Sequence, residues 1–445
     1  MHGNNSNRSR LPGMLVLCGT ILKKDKLNVV APKALQQLQF DLKLLKEISV
    51  SVLVGCCALI VSGCGDAETD SSNPMSMHAQ ASLEEVVVPA TNYARNLEIH
   101  VYKYEPQDRC ELEHLLANNN VRLDEINTKH IKDFSLLFAS PEAVGQFMMS
   151  KAAGKAQGMS PELIASLDIF QKCAGYDRRG DYAGLEYWDT SAAENMLGMF
   201  WGAENFDHPI ADWNTSKVKT MERMFYGAAY FNQDLGKWNT AQVTSMKEMF
   251  AGARNFNQPL NTWNTVNVTR MDGMFNGDRD FNQPLNKWNT AKVTTMESMF
   301  KQASSFNQDL NTWQTTNVTN MNQMFLMAVA FQGAIGAWDT SKVTTMASMF
   351  EKAVSFNQPL TKWQTGSVVS MEGMFKDASS FNQDLKSFDT GKVTNMNEMF
   401  NRAKSFNQDL NSWHVANVIS MDGIFAGASS LKELPKWYQE RQKAN

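Results

Sequence analysis

The chain contains one unit of 25 residues that is repeated ten times without an insertion or deletion. An aromatic residue recurs at the same point of every unit. The ten aromatic residues are Trp188, Trp213, Trp238, Trp263, Trp288, Trp313, Trp338, Trp363, Phe388 and Trp413. A strict period of this length indicates that each unit is one coil, which buries its apolar face against neighbouring coils. We therefore predict a stack of ten coils over residues 181–430.

Each unit combines a helix-like half with a strand-like half. In the copy at residues 231–255, the helix-like half has apolar residues at helical spacing, namely Val243, Met246, Met249, Phe250 and Ala253. The residue before the first Met of a unit favours a helix N-cap in every unit except the one with Arg270. The Phe-Asn-Gln-x-Leu segment predicts a short parallel strand. Its asparagines would stack as a ladder of Asn232, Asn257, Asn282, Asn307, Asn357, Asn382 and Asn407.

The N-terminal part has the pattern of an export signal. The uncharged apolar run at residues 48–61 follows Lys43 and Lys46 and is too short to span a bilayer comfortably. Residues 60–64 (IVSGC) resemble a bacterial lipobox, which implies a signal peptide over 44–64 and acylation of Cys64. An ordinary signal peptide or a buried apolar helix is the alternative. Residues 1–43 do not fit a signal and suggest an over-extended gene start, while residues 65–85 have the composition of a tether.

Between the tether and the regular units, residues 86–180 are predicted to form an N-terminal cap. Residues 126–138 align without a gap on residues 338–350 and are interpreted as a degenerate first copy. An insert at 139–180 carries two helical patterns, and residues 431–445 are predicted to cap the other end of the stack. Cys110 and Cys173 can form a disulfide in an oxidising compartment, or they can be two separate buried thiols.

The repeat motif is similar to that of a known family. Phe-Asn-Gln-Asp-Leu, Trp-Asn-Thr and Val-Thr-x-Met-x-x-Met-Phe, all within residues 231–250, resemble BspA-like leucine-rich repeat surface proteins, including mycoplasma-type lipoprotein repeats. The resemblance implies a cell-surface protein that is assigned to adhesion or to unknown function, with no catalytic residues. Together with the residue pattern, it predicts an α/β solenoid of leucine-rich-repeat-like coils, each with a short parallel β-strand and a short helical turn.

Composition and motifs argue against several classes of function. A formal net charge of −4 gives no global attraction to nucleic acid. The paired Met residues lack recurring His or Cys partners and indicate core packing, so we expect no metal site. No catalytic triad, phosphate-binding loop or cofactor motif is present, and we expect neither an enzyme nor a cofactor. The most polar cluster of the insert is Asp177, Arg178, Arg179 and Asp181, where any reaction would be centred; a solvated turn is the alternative.

Two periodic columns have both a core and a surface interpretation. The aromatic column indicates core, while an outward sugar-stacking strip is the alternative. The threonine column from Thr190 to Thr390 indicates backbone hydrogen bonding, while an ice-binding row is the alternative.

The function predicted from these observations is a surface-anchored repeat scaffold that binds protein or glycan ligands. Its partners would be a membrane, through the lipid anchor, and a protein or glycan, but not nucleic acid. The variable residues just before the aromatic column would form the ligand-binding surface, namely Lys237, Thr262, Lys287, Thr312 and Lys362. We expect the cell envelope as the location, at the outer membrane or cell surface. A structural envelope protein without a dedicated ligand is the alternative, and a secreted enzyme with its chemistry in the insert is the third hypothesis.

Overall fold

The computed structural model describes residues 100–154, 159–173 and 179–444. Within these ranges the regular helices lie outside the repeat units: α1 (Arg109–Ala117), α2 (Pro141–Ala152), α3 (Pro161–Cys173) and α4 (Lys436–Ala444). Short 3-10 turns cover Leu123–Glu125 and Leu185–Tyr187. The predicted leader, signal peptide, tether and Cys64 lie outside the described residues.

Adjacent coils are joined by a ladder of backbone hydrogen bonds. In the copy at 231–255, the N–H groups of Met246, Glu248, Phe250 and Gly252 donate to carbonyl oxygens of the next coil at distances of 3.0, 2.8, 2.9 and 2.7 Å. All four bonds point towards the C-terminal end of the stack. The alternate N–H groups bond within the coil instead, as Met249 does to the carbonyl of Met246 at 3.2 Å. Each coil is therefore a chain of tight turns.

The turns depend on two residues per coil with left-handed backbone conformation. One lies at the position of Glu248, where φ is +52°, and the other at the position of Gly252, where φ is +75°. Glycine adopts this conformation without steric cost, whereas other residues pay for the contact between Cβ and the backbone. Several coils nevertheless carry side chains at the second position, among them Lys352 and Arg402.

The predicted fold class, an α/β solenoid with a parallel strand and a helical turn in each coil, is wrong. The structure contains no β-strand and no sheet in the described ranges; single parallel bridges join neighbouring coils. The residues that the sequence predicts as helix N-caps form these bridges, for example Thr220 with Ser245. An α-helix cannot form because alternate N–H groups donate to the next coil. Left-handed residues within the same segment prevent an extended strand.

The core consists of continuous aromatic and methionine columns. Phe225 stacks on Phe231, six residues further on, with ring centroids 4.0 Å apart, and on its equivalent in the next coil, Phe250, at 5.5 Å. The tryptophans line up in file and are buried, with Trp263 and Trp288 parallel at 6.4 Å. Each indole also has a polar partner, since Trp263 Nε1 donates to the carbonyl of Leu235 at 3.0 Å. The core interpretation of the aromatic column is confirmed.

The predicted asparagine ladder is present, but its bonds differ from amide-to-amide stacking. The side-chain oxygen of Asn257 accepts the backbone N–H of Asn282 at 3.0 Å, and the same bond recurs from coil to coil. Gln283 Nε2 donates to that same oxygen at 3.0 Å. Side chains therefore join this segment to the next coil, which explains why the segment needs no strand pairing.

The degenerate copy at 126–138 packs as a coil. Asp133 forms a parallel bridge with Asn195, and the hydroxyl of Thr128 donates to the carbonyl of Asp189 at 2.9 Å. The equivalent hydroxyl of Thr190 bonds the following coil in the same way. The alternating residues Leu97, Ile99 and Val101 predict a short strand, but residues 100 and 101, the described part of this segment, lie outside any strand.

The insert packs on the side of the coils that carries the backbone ladder. Leu163 and Leu167 of α3 form a second apolar cluster with Leu136, Leu197 and Trp201. The positions of Leu197 and Trp201 hold polar or small residues in most later coils. The insert therefore docks where the first coils are apolar and leaves the remaining coils uncovered on this side. At the opposite end, Trp437 and Tyr438 cover Phe425.

Candidate functional site

A groove lies between the first turn of α3 and the ladder side of the first coils. Its volume is about 760 Å³. Ser160, Pro161 and Glu162 form the wall, and the floor is lined by polar residues that include Lys219, Glu222, Thr244, Thr269 and Arg270. We call the surface formed by residues equivalent to 242–248 of each coil the ladder face. The groove is the part of the ladder face next to the insert.

The wall of the groove is held by the start of α3. The Ser160 hydroxyl accepts the backbone N–H of Leu163 at 3.1 Å, and Pro161 occupies the first helical position. The two helical patterns predicted in the insert are confirmed by α2 and α3. Because Leu163 and Leu167 are anchored in the second apolar cluster, the first turn of α3 has a fixed position over the floor.

Buried charges lie under the floor. Glu222 is 1% exposed and pairs with Arg223 at 2.7 Å. Burial raises the pKa of the Glu222 carboxyl, while the charges of Arg223 and Lys247 offset part of that rise. Arg223 is also buried, and its guanidinium lies 5.3 Å from the ring centroids of both Phe147 and Trp201. This cluster therefore connects the insert to the polar coils.

The more exposed charges of the floor are paired with one another. Glu194 lies between Lys132 and Lys219, and hydrogen bonds from both lysines lower its pKa. Arg270 forms a two-point bond with Asp272, at 3.0 Å from Nε and 2.8 Å from Nη2. The groove thus combines paired charges and hydrogen-bonding groups with a larger exposed area of apolar atoms, so it offers a ligand both polar and apolar contacts.

Two rows of exposed side chains continue from the groove along the ladder face. One is a threonine row, in which each hydroxyl donates to the carbonyl of the preceding coil at 3.1 to 3.3 Å. It contains Thr244, Thr269, Thr294, Thr319 and Thr344. The other row alternates lysine with asparagine from Asn267 to Asn417, except that Ser367 replaces one asparagine. Lys292 Nζ donates to Asn267 at 2.7 Å, and Lys342 Nζ to Asn317 at 2.8 Å. Neither row is evident from the sequence alone, because neither is perfectly periodic.

The ligand-binding row predicted from the sequence is exposed along its whole length. Lys237, Thr262, Lys287, Thr312 and Lys362 follow one another at this position, interrupted only by Ala337. The hydroxyls of Thr262 and Thr312 each donate to a carbonyl of the preceding coil at 2.8 Å, and Lys237 pairs with Asp212 at 2.7 Å. The predicted row therefore forms one surface, but part of its hydrogen-bonding capacity is used within the protein.

The other residues singled out in the sequence have structural partners. Cys110 and Cys173 form a disulfide that joins α1 to α3, with Cα atoms 4.8 Å apart. Arg179 donates to the carbonyl of Leu116 at 3.0 Å, and the Asp181 carboxylate accepts the N–H of Ala183 at 3.0 Å. These contacts fit the solvated-turn interpretation of the insert. Asp177 and Arg178 lie outside the described residues.

The buried threonine column also has backbone partners, as the sequence analysis predicts. Thr240 is 1% exposed, and its hydroxyl donates to the carbonyl of Asn264 at 3.0 Å. Within residues 100–154, 159–173 and 179–444, no three His, Cys, Asp or Glu side chains are grouped to hold a metal ion. None of the helices in those ranges combines the length and apolar character that a bilayer crossing requires.

Comparison with known proteins identifies one family. The family described as "Mycoplasma protein of unknown function, DUF285" matches residues 167–268, 258–353 and 327–437. Neither the curated proteins nor the solved structures contain a match to this chain. The three matches follow one another along the repeats and together span residues 167–437, which is more than half of the chain. The chain is therefore a tandem-repeat protein that belongs to the DUF285 family.

Proposed function

We propose that this protein is a lipid-anchored scaffold of the cell envelope, which binds a protein or glycan ligand through its repeated surface. The observation that carries the proposal is the contrast between core and surface. The core columns keep the same residue types from coil to coil, whereas the exposed rows differ in charge and hydrogen-bonding groups. Such rows allow many weak contacts to one ligand, and the summed contacts give useful affinity.

Two further features support an envelope location. The residues before Cys64 resemble a lipobox, and the repeat motif resembles that of BspA-like surface proteins. Replacing Cys64 with Ser tests the anchor: we expect the protein to leave the membrane fraction and to lose incorporation of labelled fatty acid. Retention of both in the variant would exclude Cys64 as the anchor.

Ligand binding is tested with the full chain on a glycan array and against a panel of extracellular matrix and cell-surface proteins. We expect reproducible binding to at least one class, and weaker binding by a chain that lacks the two coils at 306–355. No binding in either screen would overturn the scaffold proposal and favour the alternative, a structural envelope protein without a ligand. We propose no reaction, because the polar residues Arg179 and Asp181 of the insert are used in backbone hydrogen bonds.

A further inference from the structure

We infer that the ladder face binds a linear acidic polysaccharide that carries one acidic group on every second sugar. The binding track consists of the lysine-asparagine row and the threonine row, and it begins in the groove beside α3. This inference rests on the proposed scaffold function and assigns its ligand class. The lysines that carry it are Lys292, Lys342 and Lys392.

The lysine-asparagine row offers a regular set of positive charges. Lys292, Lys342 and Lys392 are exposed and are each separated by two coils. No Asp or Glu occupies this position in any coil from Lys217 to Asn417. The bonds from Lys292 to Asn267 and from Lys342 to Asn317 align two of the three ammonium groups along the row. Each ammonium group has three N–H donors, so two remain for a ligand.

The threonine row supplies neutral hydrogen-bonding groups beside the lysines. Thr294, Thr319 and Thr344 are exposed, and each donates its single hydroxyl proton to the preceding coil. Their oxygen lone pairs remain available to accept hydrogen bonds from a ligand. The hydroxyl groups of a sugar are donors of this kind. The row therefore presents one sugar-compatible acceptor in each coil from Thr244 to Thr344 and another at Thr394, with Val369 between them.

The spacing of the coils favours a charge on alternate sugars. Coils joined by a backbone ladder repeat every ~4.8 Å, so lysines two coils apart are separated by about 10 Å along the track. In the core, the spacing of the Phe250 and Phe275 rings is 5.7 Å. A sugar in an extended polysaccharide advances by a similar distance to one coil. An acidic group on every second sugar consequently stays in register with a lysine on every second coil.

Nearby carboxylates disfavour ligands with denser negative charge. Asp339 and Asp389 lie three residues before Lys342 and Lys392, and their oxygens accept the N–H groups of Ser341 and Gly391. On the other side of the threonine row, Glu297 and Glu372 accept bonds from asparagines of the next coil at 2.9 Å. A polymer with a charge on every unit would meet these carboxylates between the lysines. Nucleic acid and fully acidic polysaccharides should therefore bind more weakly.

The groove gives the track a defined end. Thr244 and Thr269 of the threonine row line its floor, together with Gln242 of the lysine-asparagine row. Lys219 and Arg270 lie beside them, and the first turn of α3 rises above them as a wall. A polysaccharide chain on the track would therefore reach a pocket of polar groups at the insert.

The test uses the full chain and oligosaccharides of hyaluronan, in which a carboxylate occurs on every second sugar. The oligosaccharide must be long enough to reach from Lys292 to Lys392. We expect the triple variant Lys292→Gln/Lys342→Gln/Lys392→Gln to bind roughly tenfold to a hundredfold more weakly, since it loses three exposed charge contacts. The matched control is Lys386→Gln/Lys404→Gln/Lys432→Gln, which removes the same charge at exposed positions outside the ladder face and outside the predicted ligand-binding row, and should change the affinity less than about twofold.

Three comparison ligands define the specificity. Polygalacturonate, with a carboxylate on every sugar, single-stranded DNA and neutral dextran should all bind more weakly than hyaluronan. Equal or tighter binding of any of them, or an equal loss in both triple variants, would overturn the inference. Absence of hyaluronan binding would also overturn it, whereas a protein or other glycan found in the separate screen would leave the scaffold function intact. Circular dichroism of both variants checks that the repeats remain folded.

Discussion

At the scale of single residues, one core position departs from the repeat chemistry. Nine coils have alanine there: Ala203, Ala228, Ala253, Ala303, Ala328, Ala353, Ala378, Ala403 and Ala428. The remaining coil has Asp278, which is fully buried, with both carboxylate oxygens lacking a hydrogen-bond partner. Burial raises the pKa of Asp278 well above its usual value; the nearby backbone N–H groups of Phe281 and Asp280 offset part of the rise without forming complete hydrogen bonds to the carboxylate.

Replacing Asp278 with Ala should stabilise the protein at neutral pH by about 1–3 kcal/mol, because a buried and poorly partnered polar group is removed. The effect depends on pH in a defined direction. The raised pKa means that the folded state binds the proton more tightly than the unfolded state, whose Asp pKa is about 3.9. The advantage of the variant should therefore be smallest below that pH, grow as the pH rises, and level off above the folded-state pKa.

Urea unfolding of both proteins across a pH series measures this difference. The control is Asp280→Ala, which removes an exposed carboxylate two residues away and should change the free energy of unfolding by less than about 0.5 kcal/mol. A variant at Asp278 that is less stable than the natural protein at neutral pH would contradict the assignment of this carboxylate as an unfavourable core group.

The sequence predicts most of the core at this scale but not its exception. Trp263 and its equivalents are predicted as core because a large apolar residue that keeps one period must face the same neighbours in every coil. The 25-residue period is read from all ten coils together, so one Asp278 among nine alanines does not change it. The period therefore predicts a core position there but not the buried carboxylate. The hydrogen bond from each indole N–H to the preceding coil, such as that from Trp263 to the carbonyl of Leu235, cannot be predicted from the sequence either. Its prediction requires the position of that carbonyl in space.

At the scale of the structural element, each coil is built from tight turns that contain two residues with left-handed backbone conformation, at the positions of Glu248 and Gly252. The second left-handed position is Gly252 or Gly277 in some coils and Lys352 or Arg402 in others. A side chain at such a position costs roughly 1–2 kcal/mol for an ordinary residue. Glycine removes that cost but adds freedom to the unfolded chain, which offsets part of the gain.

Lys352→Gly should therefore raise the free energy of unfolding by up to about 1 kcal/mol. Lys352 has φ of +58°, and its ion pair with Glu351 is long, at 3.7 Å, and half exposed, so little is lost with the side chain. Lys362→Gly is the control: Lys362 is exposed and is not among the left-handed residues, so glycine there should lower stability by roughly 0.5–1 kcal/mol. A higher free energy of unfolding for Lys352→Gly and a lower one for Lys362→Gly, both measured with urea, would support the turn geometry. A lower free energy of unfolding in both variants would contradict it.

The error in fold class also belongs to this scale. Met246, Met249, Phe250 and Ala253 have helical spacing, yet this spacing also fits consecutive three-residue turns, in which the same side chains face inwards. Only the hydrogen bonds distinguish the two, and at Met246 and Phe250 they run to the next coil. A pattern of apolar residues does not specify where backbone N–H groups donate, so the sequence predicted the buried face but not the element.

Only part of the candidate site can be predicted from the sequence, for a similar reason. The row from Lys237 to Lys362 is exposed as predicted, because a position that holds lysine in several coils is rarely buried in an apolar core. The groove beside α3 depends on where Leu163 and Leu167 dock, and that contact joins segments that are distant in sequence. The period alone contains no information about such a contact.

At the scale of the whole repeat array, each coil contacts only its neighbours. The hydrogen bonds between the regular coils join residues 22 to 28 positions apart, such as Lys301 to Gln323 and Trp263 to Leu235. Stability should then be the sum of terms for each coil and each interface. Removing whole units should shorten the array and lower its stability without unfolding it, provided that the remaining units stay in phase.

The most direct test compares two internal deletions by urea unfolding, followed by tryptophan fluorescence and circular dichroism. Deletion of 306–355 joins Ser305 to Phe356 and keeps the 25-residue phase, whereas deletion of 306–343 joins Ser305 to Thr344 and breaks it. We expect the longer, in-phase deletion to leave a cooperatively folded protein with buried tryptophans. We expect the shorter, out-of-phase deletion to lose cooperative unfolding and to expose its tryptophans. Collapse of the in-phase variant, or equal folding of both, would contradict the stacking of 25-residue coils.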